Sequence, residues 1–388
     1  MKVLTLPSFS GEARSMKALQ NRWYNSLTEQ LGLDRAMFQI GRPSSPIAPS
    51  DLALWDHQNV IPPYSLTFDR TVGVDSFFRE YAAFASQMSF PDSTLEKDIG
   101  EEHYKDWLAF VAQQIPRPPE NQLPALFLQW AMVYAPDMAQ TGASDLSCMV
   151  LINAAHQALS PYLGTQATGP QAKAPDFLGT YQQLLRTLGS SSSGSLHFNS
   201  GETSSDVSDT WTKGKDSGLA GLWSGSSVAS RLSLRFGQSL ITVQAQFKAF
   251  ALVPVIPGSW YNSALFQTAY SNQNAPPWPP NPNPGWPDLF GPEGSMLRLP
   301  ASLIVVDGIE ATLTSDASYA PADQEIIRGN TAKGVWPFYT PDSDVTNNAV
   351  TFDDQGAMSI TTTTQPEHPL FIGANVLSTP RYLGHVPG

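Results

Sequence analysis

Residues Arg231 to Ala249 read RLSLRFGQSLITVQAQFKA, and the reading of this stretch decides the fold class. Leu232, Leu234 and Phe236 alternate with Arg231, Ser233 and Arg235. Beyond Gly237-Gln238 the alternation resumes as Ile241, Val243, Ala245, Phe247 and Ala249. A period of two places alternate side chains on one side of a β-strand. The apolar parity flips across the glycine, as expected of a two-residue hairpin loop with Gly at its first central position. Leu234 would then oppose Ile241 and Leu232 oppose Val243. A bulge at Gly237 within one long strand is the alternative.

Two more hairpins are expected downstream. Leu303 to Val306 and Ile309 to Leu313 flank Asp307-Gly308, and Ala349 to Phe352 and Met358 to Thr364 flank Asp353-Asp354-Gln355-Gly356. Glu310 then points to solvent, and Asp353 and Asp354 are turn residues. Helical pieces are expected near 261 to 270 and from Ala322 to Arg328. Between them, residues 275–294 read APPWPPNPNPGWPDLFGPEG. So many prolines exclude a central strand and a helix, and polyproline II or serial turns are expected.

Upstream the period is helical. Met16, Leu19, Trp23, Leu27 and Leu31 recur at spacings of three and four before Gly32, which predicts a helix over 12–31. The next forty residues read as irregular chain. Further helices are expected from an Asp75 cap to Pro91, over 101–114 (Tyr104, Trp107, Leu108, Val111), over 124–135, from Ser144 to Leu159, and from Pro175 to Leu188. Residues 189–230 are rich in Ser, Gly, Thr and Asp, with Phe198, Trp211 and Trp223 as isolated aromatic anchors. The expected fold is α+β: a helical lobe over 1–188, a connecting segment over 189–230, and a mainly antiparallel, sandwich-like lobe over 231–388 that carries the Pro/Trp-rich loop 275–294.

Composition excludes some functions. Charged residues are 14% of the chain, which suits a turn-rich β surface better than a long solvated helical bundle. The net charge of −12, with Lys213 and Lys215 flanked by Asp209 and Asp216, leaves no basic stripe for nucleic acid or anionic lipid. Met1 to Pro7 lacks the features of a secretory signal, and the most apolar stretch, Leu123 to Tyr134, is too short to span a bilayer. A cytoplasmic location is expected. One cysteine, Cys148, excludes a disulfide within the chain and reads as a small buried hydrophobe.

Local catalytic motifs are absent. Gly218, Gly221 and Gly225 form a glycine run without the Lys-Ser/Thr ending of a phosphate-binding loop. None of the six histidines pairs with another at metal-ligand spacing, so no metal and no cofactor are expected. His156, four residues after Ile152, reads as a partly buried histidine with its hydrogen bonds satisfied. Two clusters are candidate acid/base groups: Asp56-His57, and Glu102-His103 within the acidic run Glu96, Asp98, Glu101, Glu102, Asp106. The ordinary role of such acids is to favour a helix N-terminus.

The unusual feature is aromatic. Trp260, Tyr261, Trp278, Trp286, Trp336 and Tyr339 stand in Pro/Gly-punctuated segments, where they either clamp loops or form a ligand or partner surface. The resulting expectation is a non-catalytic binding or self-assembling protein that presents this surface to a protein partner, a second copy or a small molecule. The alternative is an enzyme whose site joins Asp56, His57, Glu102 and His103 at the junction of the lobes. A membrane-active toxin unfolding 189–230 into a hairpin is a third reading, disfavoured by the poor alternation of that segment.

Overall fold

The structure, a computed structural model, describes residues 11–70, 74–164, 172–212, 221–223 and 230–385. Met1 to Pro7, the Lys213/Lys215 pair, and Gly218 and Gly225 of the glycine run lie outside the described residues. In chain order the first elements are α1 (Gly11–Gln30), β1 (Phe38–Pro46), α2 (Asp51–Gln58), β2 (Thr67–Asp69), α3 (Phe77–Gln87), α4 (Asp92–Ile99), α5 (Glu101–Ala112), α6 (Leu123–Tyr134) and α7 (Ala139–Leu163). There follow α8 (Tyr181–Ser190), β3 (Gly194–Asn199), α9 (Asp209–Thr212), α10 (Ser230–Gln238), β4 (Ile241–Pro254), α11 (Ser263–Ser271) and α12 (Trp286–Phe290). The last are β5 (Arg298–Ser315), α13 (Pro321–Thr331), β6 (Thr346–Phe352), β7 (Met358–Thr364), β8 (Leu370–Ser378) and α14 (Thr379–Tyr382). The fold class is α+β. Among the described residues no helix is long and apolar enough to cross a membrane.

The chain forms two compact units, each from separated segments: residues 1–75, 178–256 and 298–388 in one, 76–177 and 257–297 in the other. The boundaries expected from composition, at 188 and 230, are not where these units divide. The Pro/Trp-rich loop 275–294 belongs with the helices α3 to α7, not with the strands.

The first unit is built on one mixed sheet in the order β2-β1-β8-β5-β4-β3, with β7 also on β5 and β6 on β7. Among the described residues only β1 and β2 pair in parallel. β7 and β8 lie end to end along the same edge of β5: β7 pairs with Glu310–Ser315 and β8 with Arg298–Val306. The change of partner falls at Asp307-Gly308. Gly308 has φ +61°, and the Asp307 carboxylate accepts the backbone N–H groups of Glu367 and His368, each at 3.0 Å. Asp307-Gly308 is therefore not the hairpin turn its composition suggests. Both runs around it pair with β4 in one unbroken register, from Ile241↔Ser315 to Pro254↔Ser302. The third expected hairpin is present as β6–β7, with Asp353 Oδ1 accepting from the Gln355 and Ala357 backbones.

Ile241, Val243, Ala245, Phe247 and Ala249 are buried on one face of β4, as the alternation predicts, while Gln244, Gln246 and Lys248 are exposed. Met16, Leu19, Trp23 and Leu27 of α1 bury themselves in the same core. Trp23 meets Phe198, Trp336 and Phe338 edge-on at 5.5–5.7 Å. Each such fully buried side chain contributes about 1.5–3 kcal/mol. Residues 230–238, expected as a strand, form α10 instead. Leu232 and Phe236 satisfy a helical i,i+4 spacing as well as a period of two and are buried, whereas Leu234 fits only the period of two and is half-buried. Arg231 and Arg235, also four apart, both engage the buried Asp323 of α13. Both arginines are largely exposed, so this ion pair adds little; the burial of Leu232 and Phe236 in the core outweighs the local β pattern.

The forty residues read as irregular contain β1, α2 and β2. β1 is a sheet strand whose polar Gln39, Ser44 and Ser45 hide its pattern. The helix expected from Pro175 begins at Tyr181, where Thr180 and Gln183 form a reciprocal capping box. Ser76, rather than Asp75, caps α3 through its hydroxyl. The Pro/Trp-rich loop holds one helical turn, α12, with proline in its first turn where the missing N–H is tolerated. Phe198, Trp211 and Trp223 are all buried and pin the described parts of 189–230.

Candidate functional site

The helical unit holds a pocket of about 150 Å³. Tyr104, Trp107, Leu108 and Val111 recur at helical spacing on α5 and form one wall. Asp145, Leu146 and Met149 of α7 form the facing wall, Leu95 of α4, Phe90 and Leu123 close the sides, and the exposed Arg117 contributes to the rim. Trp107 is fixed by an edge-on contact with Phe127 at 5.0 Å and a tilted one with Trp130 at 5.7 Å. Gly142 lets α7 approach α6 closely, since a β-carbon there would stand 2.3 Å from the Phe127 ring.

Asp145 is the polar group of this apolar wall. Burial, and then the neighbouring Asp98 of α4 through its charge and a hydrogen bond, push its carboxyl up to about 6. Its Oδ2 is buried and has no hydrogen-bond partner among the described residues. Cys148, one turn away, is raised to about 11 by burial and by Asp145, so it is a thiol and not a nucleophile at neutral pH.

The expected aromatic surface is largely internal. Trp260, Trp278, Trp336 and Tyr339 are buried, and Tyr261 and Trp286 are half-buried. Their polar atoms are turned to the fold: Trp260 donates to Asp176 O at 2.7 Å, Trp278 to Ala269 O at 2.8 Å, Trp286 to Tyr270 O at 2.9 Å, and Trp336 to Gln20 Oε1 at 3.2 Å. Tyr339 donates to Gly221 O at 2.8 Å. These rings clamp irregular loops, and an aromatic ring spent in a core is not offered to a partner.

The four acid/base candidates divide between the units. Asp56 and His57 lie on α2 of the sheet unit; Glu102 and His103 lie on the first turn of α5. Glu102 is exposed, and His103 meets the edge of Trp130 at 6.4 Å without lining the pocket. His156 Nε2 is satisfied by Ala85 O at 2.9 Å. Among the described residues no three His, Cys, Asp or Glu side chains are grouped to hold a metal ion. Sequence reading finds the α5 wall and the acidic run that supplies Asp98, but it misses Asp145. The available signal is a single carboxyl immediately before the largely apolar stretch Leu146-Ser147-Cys148-Met149-Val150-Leu151. No protein-family model matches the chain, and no curated protein and no solved structure matches it.

Proposed function

We propose that this protein is a non-catalytic binding protein whose helical unit takes up a small apolar molecule bearing a protonated amine. The observation that carries this reading is that Asp145, whose Oδ2 is buried and without a hydrogen-bond partner among the described residues, lines a mainly apolar pocket. A dry apolar cavity of about this volume accommodates one benzene-sized ring. A few convergent polar groups in such a cavity fix the orientation of what enters. An ammonium group supplies what Asp145 lacks: a donor for the free oxygen and a charge opposite to the carboxylate. The surroundings favour a cation, since α4 and α5 carry Asp92, Glu96, Asp98, Glu101, Glu102 and Asp106 against Lys97 and Lys105. Arg117 opposes it, but from an exposed position where water screens its charge.

Calorimetric titration with benzylamine, benzyl alcohol and benzoate tests the reading. Benzylamine is expected to bind at least about tenfold tighter than the isosteric alcohol, the worth of one charge-assisted hydrogen bond. Asp145→Asn is expected to erase that preference. Equal binding of amine and alcohol, or a preference for benzoate, would sink the proposal.

A further inference from the structure

A second, independent set of observations lies in the sheet unit, at the end of α2. His57 is 7% exposed, and its Nδ1 stands 2.8 Å from Ala53 O. A carbonyl oxygen only accepts, so Nδ1 carries the proton and Nε2 carries the lone pair. Burial, and then the positive charge of Arg70, hold the imidazole down at about 3, so it is neutral at ordinary pH. Nε2 is buried and has no hydrogen-bond partner among the described residues.

Arg70 follows β2, and its backbone N–H is held by Arg42 O at 3.0 Å. Its guanidinium is largely buried. The nearest carboxylate is that of Asp56, 3.9 Å from Nη2 and 78% exposed, too loose and too wet to neutralise it. Nη1 is buried and also has no partner among the described residues. Both side chains lie against one ring: the imidazole meets Phe371 at 5.6 Å and the guanidinium stands 5.5 Å from its centroid.

A buried donor on a charged group and a buried acceptor on a neutral one are thus left open on two side chains that share the Phe371 ring. Each is costly alone, and an unneutralised buried charge is costlier still. One species meets all three demands if it accepts from Nη1, donates to Nε2 and is negative. We propose that Arg70 and His57 form a binding site for a small oxyanion that retains a proton, of the hydrogencarbonate or monohydrogenphosphate type. The negative oxygen accepts from Arg70 and the O–H donates to His57. A water molecule satisfies both hydrogen bonds but leaves the guanidinium unneutralised. Sulfate neutralises it but has no proton to give at neutral pH.

The test uses the full chain labelled with ¹⁵N at histidine, at fixed pH and ionic strength. Inorganic phosphate and hydrogencarbonate are titrated in separate arms, with sulfate as the control. A saturable shift of the His57 Nε2 resonance is expected with at least one of the two protonated anions, and binding about tenfold weaker or absent with sulfate. The arm that saturates at the lower concentration names the anion. Arg70→Gln is expected to abolish the response. Should that variant fail to fold, the contrast between phosphate or hydrogencarbonate and sulfate on the wild-type chain remains the decisive reading. An unchanged His57 resonance in both arms, or equal binding of sulfate, overturns the proposal in favour of an internal water.

Discussion

Asp98 on α4 stands beside Asp145 on α7, and burial, reinforced by the like charge of Asp98, raises the Asp145 carboxyl above the usual carboxylate range, to about 6. The folded state therefore holds a proton that the unfolded chain has released. Between about pH 4 and about pH 6 this group lowers stability as pH rises, and above that window its penalty is constant. Asp145→Asn should accordingly stabilise the protein at pH 7, on the order of 1 kcal/mol once solvent screening is allowed for, and have little effect at pH 4. Urea unfolding of both proteins across this range checks the sign and the window.

His57 is expected to act in the opposite direction. Its folded value is depressed to about 3, so its contribution is fully present above the ordinary histidine value near 6.5 and is lost as pH falls toward 3. In chloride buffer without added oxyanions, the His57 ring nitrogens should show no protonation shift between pH 8 and pH 5, while exposed histidines titrate normally. A midpoint near 6.5 for His57 would contradict the buried neutral tautomer.

Gly142→Ala places a methyl group against the Phe127 ring in the fully buried seam between α6 and α7. Overpacking of this kind costs about 1–3 kcal/mol. Phe127→Leu in the same chain should recover part of the loss, because the two substitutions act on one contact. Chemical denaturation of the two single variants and the double variant measures this coupling; simple additivity would refute it.

Cys148 should resist alkylation. Its thiol is raised from an ordinary 9.0 to about 11, which lowers the thiolate fraction at pH 8 about 100-fold. Iodoacetamide labelling of the folded chain should be slower than labelling in urea by at least that factor.

Asp307→Ala removes two charge-assisted bonds to the Glu367 and His368 backbones and leaves both donors to solvent or to nothing. The expected loss is about 1.5–3 kcal/mol. Amide exchange should quicken first in the segment between β7 and β8.

Local signals made much of this fold legible in the sequence. The spacing of Met16, Leu19, Trp23 and Leu27 predicts α1, and Tyr104, Trp107, Leu108 and Val111 predict the pocket wall. The turn Asp353 to Gly356 predicts β6–β7. The errors fall where a distant residue decides. Leu232 and Phe236 belong to a helix because the core around Trp336 is there to receive them, about a hundred residues on, and Arg231 and Arg235 then meet Asp323. Asp307-Gly308 stays inside a strand because β4 pairs across it and the loop before β8 takes up its carboxylate. Both candidate sites depend on such meetings: Asp145 with Asp98, and His57 with Arg70 over Phe371. No window of sequence holds Asp98 with Asp145, or His57 and Arg70 with the Phe371 ring they share, so periodicity and composition carry no trace of these meetings.

The sheet also sets an order on synthesis. The helical unit has all its residues once the chain has reached 297, whereas β1, made near the start, pairs Phe38 with Asn375 of β8. Everything between must leave the ribosome before β1 acquires its antiparallel neighbour. A nascent chain synthesised as far as residue 297 thus combines the complete helical unit with a strand whose hydrogen-bonding edge toward β8 is still open, the state most prone to improper pairing. Slow translation past β5, or a chaperone that shields β1 until β8 emerges, would favour recovery of the native protein, and early truncations should aggregate through the sheet unit while their helical unit stays intact.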